Sequence, residues 1–190
     1  MKKPAMTYWL IPAKPAYSFF QNLINDLARR YDAPVFEPHM TIHVGLHRFD
    51  VAEKAIAKAA ACSGRIEAKM LEISHSSEFT KTLFVQFRLN AKLSRLNEII
   101  RDAAQDSSDY QLEPHLSLLY KKMSPAARRE LANSIKLPFS LVVFDSIKVV
   151  RCVSPTQSRA DVEAWRVVAG KRCSMPPLQF DDAVRFSGFL

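Results

Sequence analysis

The chain is 190 residues long, carries a formal net charge of +8 at neutral pH and has a pI of about 9.5. That length fits one domain, or two small lobes that share a core, and an apolar content of 48% is ordinary for a globular protein. No segment approaches the roughly 20 apolar residues of a membrane helix, and Cys62, Cys152 and Cys173 form no C-x-x-C pair suited to zinc or thiol redox chemistry.

The excess of basic residues favours anionic partners such as nucleotides, phosphates or RNA. An odd cysteine count without secretory context reads as reduced cytosolic thiols, with a bridge between two of the three left open. Met1-Lys2-Lys3 and the apolar run behind it mimic the start of a signal peptide. The run is short and broken by Pro12, and Tyr8–Ile11 reads as a strand instead. A cytoplasmic protein, off the membrane and monomeric, is expected.

In chain order, the Tyr8–Ile11 strand is followed by Phe20, Leu23, Ile24 and Leu27, the i, i+3, i+4, i+7 spacing of an amphipathic helix. Glu37-Pro38-His39-Met40-Thr41 then opens a strand, and Gly45–Phe49 reads as a loop. Asp50 with Glu53 reads as an N-cap and capping box for an Ala-rich helix ending near Ala61. A strand over Ile66–Ser74 closes the first half.

The second half repeats this order. With a shift of 76 residues, Phe84–Phe87 falls on Tyr8–Ile11, and Leu96, Ile99, Ile100 and Ala103 fall on the helix stripe. Glu113-Pro114-His115-Leu116-Ser117 falls on the first motif. Ser124-Pro125 supplies N-cap and N1 for a helix carrying Ala127, Leu131 and Ile135. Strands over Phe139–Val150 and Ala164–Ala169 follow, with Gln157–Glu163 a polar loop near the site. The expected fold is therefore α+β: a single domain over 1–190 with two pseudo-symmetric lobes, about 7–75 and 82–169. Each lobe has an antiparallel-rich sheet and outer helices, with a cleft between the two. Residues 171–190 form a tail whose Phe180, Phe186, Phe189 and Leu190 suggest docking.

The repeated motif carries the chemistry. Side chains alternate along a strand, so His39 and Thr41 share one face, and His115 and Ser117 share one face. Met40 and Ile42, and Leu116 and Leu118, turn the other way into the core. Two His-x-Thr/Ser faces across a cleft supply a neutral histidine that accepts a proton and a protonated one that donates. The two hydroxyls hydrogen-bond the non-bridging oxygens of a phosphate between them. This equipment opens a cyclic phosphodiester without a metal or any other cofactor.

These motifs resemble those of the 2H phosphoesterase superfamily. Phe36–Thr41, Pro114–Tyr120 and the opening Tyr8–Pro12 resemble its cyclic phosphodiesterase-like branch, over roughly residues 7 to 169. The resemblance implies hydrolysis of nucleoside 2′,3′-cyclic phosphates to 2′-phosphates, and of ADP-ribose 1″,2″-cyclic phosphate. His39 and His115 are then the catalytic acid/base pair; the pseudo-symmetry leaves their roles interchangeable on sequence, with His115 as base and His39 as acid the preferred order. Thr41 and Ser117 bind the phosphate, and Tyr120 borders the substrate. RNA 3′ ends are a second substrate class, as in the bacterial 2′-5′ RNA ligase branch, and a non-catalytic nucleotide-binding module is a third reading.

The remaining candidates have plainer readings. His43 shares the His39 face by alternation, but residues i and i+4 of a strand lie about 13 Å apart, too far to share one ion. It reads as a cleft-wall or surface residue, and His47 as a loop residue. His75 sits at a strand end and Arg151 in solvent. Ser76–Thr80 is a turn whose Phe79 is a candidate for the cleft rim. Glu37 and Glu113 either orient the histidines or cap turns.

Overall fold

The computed structural model describes residues 2–106, 108 and 110–173. Thirteen elements follow in order: β1 (Lys3–Pro12), α1 (Ala16–Tyr31), β2 (Met40–Leu46), α2 (Phe49–Ser63), β3 (Ile66–His75), a 3₁₀ turn (Phe79–Lys81), β4 (Leu83–Phe87), α3 (Ala91–Ala103), β5 (His115–Leu119), α4 (Pro125–Ser134), β6 (Leu141–Ser154), α5 (Arg159–Glu163) and β7 (Arg166–Arg172). The fold is α+β. Its seven strands are all antiparallel, in the order β1-β2-β5-β4-β3-β6-β7.

β1 also pairs with β6, so six strands close into a ring with β7 on the far side of β6. The ring is two sheet halves, β2-β1-β6-β7 and β5-β4-β3, joined at two thin seams. One seam is the single pair Met40↔Leu116 between β2 and β5. The other joins Leu141–Phe144 at the start of β6 to β3. The strand pairing thus crosses the boundary of the sequence repeat: β3 pairs with β4, and β6 runs along β1.

The helices form where the periodicity places them. Phe20, Ile24 and Leu27 of α1 and Leu93, Leu96, Ile99 and Ile100 of α3 are buried, as are Met40, Ile42, Leu116 and Leu118 of the motif strands. Ser124 caps α4 through the Ala127 N–H, with Pro125 in the first turn. Four local expectations are corrected. Gly45 belongs to β2 rather than to a loop, and α2 starts at Phe49 with Arg48 as N-cap. Asp50 therefore lies inside the first turn, where it pairs with Arg48 at 2.8 Å instead of capping. Ile135 lies just past α4. Gln157–Glu163 is not all loop, because Ser158 accepts from the Asp161 N–H and starts the short helix α5.

β6 and β7 run further than expected, to Ser154 and Arg172. Cys62, Cys152 and Cys173 are free thiols. Phe180, Phe186, Phe189 and Leu190 lie outside the described residues. Among the described residues, no helix is long and apolar enough to cross a membrane.

Candidate active site

The seam between the two halves creates the site. Met40 faces Leu116 across an antiparallel pair, and continuing that register sets His39 opposite Ser117 and Thr41 opposite His115. Both motifs therefore present histidine and hydroxyl to the same side, related by a pseudo-two-fold through the Met40–Leu116 pair. All four side chains line one cavity of about 270 Å³, with Tyr120, Tyr110, Lys81 and Trp165 on its walls.

Each histidine is held by the same local bond. His39 Nδ1 lies 2.6 Å from the Glu37 carbonyl, and His115 Nδ1 lies 2.7 Å from the Glu113 carbonyl. A carbonyl only accepts, so Nδ1 carries the hydrogen in both rings, and Nε2 is left as the atom that gains or loses a proton. The glutamates thus orient the histidines through their backbones. Their carboxylates point elsewhere: Glu37 accepts from Lys148 at 2.6 and 2.8 Å and from the Tyr17 hydroxyl at 3.2 Å. Glu113 accepts from Lys81 at 2.7 Å.

The surroundings of the two rings differ. His39 is only 5% exposed and stacks on Trp9 with centroids 3.7 Å apart, with Phe36 and Trp165 edge-on. Burial pushes its pKa down to about 3, partly opposed by the Glu37 carbonyl and reinforced by His115. His115 is half-buried and meets the edge of Phe84 at 5.5 Å. Burial lowers its pKa too, helped by Lys81 and opposed by the Glu113 carbonyl. Burial thus favours the neutral form of both rings in the free protein.

Of the two hydroxyls, Ser117 is buried and donates to the Thr80 carbonyl at 2.7 Å. Thr41 is half-buried on the cavity wall. Tyr120 is also buried, with its ring stacked on Phe36 at 3.9 Å, and burial raises its phenol pKa. Its place beside Ser117, three residues on, breaks strict alternation.

The cause is a pair of matching bulges. Along β1, Tyr8 faces His43 but Trp9 faces Thr41, so Ile42 is skipped. Along β4, Leu83 faces Leu119 but Phe84 faces Ser117, so Leu118 is skipped. A bulge re-aims every later side chain on its strand. Val44 and Tyr120, the equivalent residues beyond the two bulges, both reach the cavity.

The same bulge corrects the reading of His43. It is 0% exposed and turned away from the cavity, with Nε2–H donating to Asp106 Oδ2 at 2.6 Å. Asn97 Nδ2 lies 3.4 Å from its Nδ1, the geometry of a neutral ring with its hydrogen on Nε2. Burial pushes the pKa of His43 down, against the pull of Asp106. Ser108 also donates to Asp106, and Tyr110 packs edge-on to His43 while its hydroxyl donates to the Thr41 carbonyl at 3.3 Å. His43 therefore secures the wall behind Thr41.

Other candidates fall away from the cavity. His47 packs edge-on to Phe49 at 4.7 Å, His75 ends β3 opposite Leu83, and Arg151 is exposed. Phe79 packs near Tyr120 at 5.9 Å, while its neighbours Thr80 and Lys81 line the cavity.

Sequence reasoning missed Thr7, Trp9, Lys81 and Trp165 as cavity residues. The missed signal is a shift of 75 rather than 76 in the first strand: Trp9 and Phe84 both face their motif hydroxyl residue. That alignment pairs Trp9 with Phe84, each against its own histidine, and Thr7 with Thr82. Among the described residues, no cluster of three or more His, Cys, Asp or Glu is placed to hold a metal.

Comparison with known proteins agrees with this geometry. The family model for cyclic phosphodiesterase-like proteins matches residues 4–172. The cyclic phosphodiesterase of Arabidopsis thaliana is 23% identical over 181 residues, which cover 93% of this chain and 98% of that protein. Among solved structures, E. coli LigT complexed with 3′-AMP superposes with a TM-score of 0.57 at 12% identity, covering 91% of this chain and all of that one. The TT0787 protein of Thermus thermophilus superposes with a TM-score of 0.55 at 13% identity, covering 89% of this chain and 97% of that one. The chain belongs to the cyclic phosphodiesterase-like family of 2H phosphoesterases and is a phosphodiesterase.

Proposed function

We propose that this phosphodiesterase opens small cyclic phosphodiesters by metal-independent, two-histidine acid/base catalysis. The observation that carries the reading is the Met40↔Leu116 pair, which sets both His-x-Thr/Ser faces on one cavity. The phosphate sits between the rings, with its non-bridging oxygens on the Thr41 and Ser117 hydroxyls. Ser117 turns its proton from the Thr80 carbonyl to the phosphate as the substrate enters. Water attacks phosphorus and passes a proton to one Nε2. The other ring takes a proton from solvent at Nε2 as the bound phosphate anion raises its pKa, and it gives that proton to the sugar oxygen as the bond from phosphorus to that oxygen breaks.

The substrate class is a nucleoside 2′,3′-cyclic phosphate, opened to the 2′-phosphate, or ADP-ribose 1″,2″-cyclic phosphate, opened to the 1″-phosphate. The name of the Arabidopsis relative and the 3′-AMP in the LigT structure support a small nucleotide in this cavity. Trp9 and Tyr120 offer ring surfaces beside it.

Because general acid and base catalysis each contribute about 10²–10⁴ in rate, His39→Ala and His115→Ala should each remove nearly all turnover of 2′,3′-cyclic AMP. The assay is run with a metal chelator present, and circular dichroism checks the fold. Wild-type rates in either variant, or loss of wild-type activity on chelation, would overturn the mechanism.

A further inference from the structure

The sheet carries the active face further than the catalytic cavity. One row of cross-strand neighbours runs from Thr41 on β2 through Trp9 on β1 and Lys148 on β6 to Gly170 on β7. Directly opposed residues of an antiparallel ladder share a face, so Lys148 stands beside the ring that covers His39. Adjacent strands lie about 4.8 Å apart, which puts Lys148 about 10 Å and β7 about 14 Å from Thr41. Two residues along, Ile11, Ser146 and Arg172 form the next row on the same face.

There the face opens into a second groove, of about 570 Å³. Trp9, Ile11 and Val150, with Tyr17 and Trp165 packed against them, form the apolar wall between it and the catalytic cavity. Lys14, Arg65, Lys148 and Arg172 line the groove, against one carboxylate, Asp145. Lys148 is already neutralised by Glu37, the residue whose carbonyl holds His39. Lys14, Arg65 and Arg172 are exposed and have no ion pair among the described residues.

Three unpaired cations against the single Asp145 carboxylate leave the concavity net positive, and it attracts an anion. Two are arginines, whose planar forks match phosphate oxygens. The cyclic phosphate itself belongs between the histidines, so this groove lies where a second phosphate of the same molecule would reach. We propose that it is a distal-phosphate subsite. It holds a second phosphate of the substrate while the ribose that bears the cyclic phosphate crosses the Trp9–Trp165 wall. The proposal rests on the cyclic phosphodiesterase reading above. Two substrates supply such a group: the diphosphate bridge of ADP-ribose 1″,2″-cyclic phosphate, or the backbone of an oligoribonucleotide ending in a 2′,3′-cyclic phosphate.

The test compares the full-length wild type with the Arg65→Gln/Arg172→Gln variant on three substrates: 2′,3′-cyclic AMP, ADP-ribose 1″,2″-cyclic phosphate, and a short oligoribonucleotide with a cyclic end. The single-phosphate substrate should keep its kcat/KM within about twofold, since neither arginine touches the catalytic cavity. KM for one of the other two should rise by about tenfold with kcat unchanged, as lost charge-assisted bonds affect binding alone. The substrate that shows the loss identifies the source of the second phosphate. Equal effects on all three substrates, or none on any, would overturn the subsite. Failure of the wild type to open any of them would instead overturn the underlying reading.

Discussion

The burial of His39 has a measurable cost at acid pH. Its pKa of about 3 in the folded protein lies well below the ordinary 6.5. Between those values the unfolded chain binds a proton that the native ring refuses, so native stability falls as pH drops through 6.5 and levels off near 3. Applying the linkage relation between pH 7 and pH 4 gives about 3 kcal/mol for this one ring. That is a large share of a total stability of about 5–15 kcal/mol. The perturbation is His39→Gln, which keeps a donor for the Glu37 carbonyl and removes the titration. Urea unfolding followed by far-UV circular dichroism at pH 7 and pH 4 gives the stability change for each protein. The wild type should lose about 3 kcal/mol more than the variant over this interval. His43, also pushed down by burial, contributes alike to both proteins and cancels in the difference, as does His115 apart from its smaller repulsion with His39. Equal losses in the two proteins would refute the argument from burial.

Two further outcomes follow from the structure. Asp106→Ala removes the partner of a fully buried His43 Nε2–H and of Ser108; stability should fall by about 2–3 kcal/mol, or roughly 5–10 °C in Tm by calorimetry. Ser124→Ala deletes the cap on the Ala127 N–H; it should cost about 1 kcal/mol in urea unfolding and leave turnover unchanged, because α4 stands away from the cavity.

The motif faces were legible because alternation is a local rule. His39 with Thr41, and His115 with Ser117, lie where a two-residue period places them, and Met40, Ile42, Leu116 and Leu118 are buried. The helices α1 and α3 were legible for the same reason at their longer period. The rule fails one residue beyond each hydroxyl, at the bulges over Ile42 and Leu118. A bulge depends on the partner strand, and nothing in Met40–Val44 alone announces it. It sends His43 inward to Asp106 and turns Tyr120 toward Ser117. It also accompanies the one-residue offset that hid the equivalence of Trp9 and Phe84. The exchange of β3 and β6 between the halves is likewise set by long-range pairing. Asp50 and Glu53 matched a capping pattern, yet α2 begins one residue before Asp50, where an apolar Phe49 offers no such cue.

The pseudo-symmetry that made the motif visible also left the acid and base interchangeable, and the surroundings of the two rings separate them. His39 lies under Trp9, is almost wholly covered, and has no carboxylate among the causes shifting its pKa. His115 is half-buried, and the carboxylates of Glu113 and Glu78 favour its charged form while Lys81 opposes it. His115 is therefore the ring that takes a proton more readily in the free protein, and a phosphate anion between them raises both pKa values. We propose on these grounds that His39 acts as base and His115 as acid, the reverse of the order preferred on sequence. The distinction is open to a leaving-group test. A nitrophenyl phosphodiester leaves without needing a proton, whereas a sugar alkoxide does not. On the sugar substrate both alanine variants should be slowed by about 10²–10⁴. On the nitrophenyl substrate the deficit of His115→Ala should shrink to about tenfold, while that of His39→Ala persists, because water still has to lose its proton. Recovery of His39→Ala in place of His115→Ala would restore the original assignment.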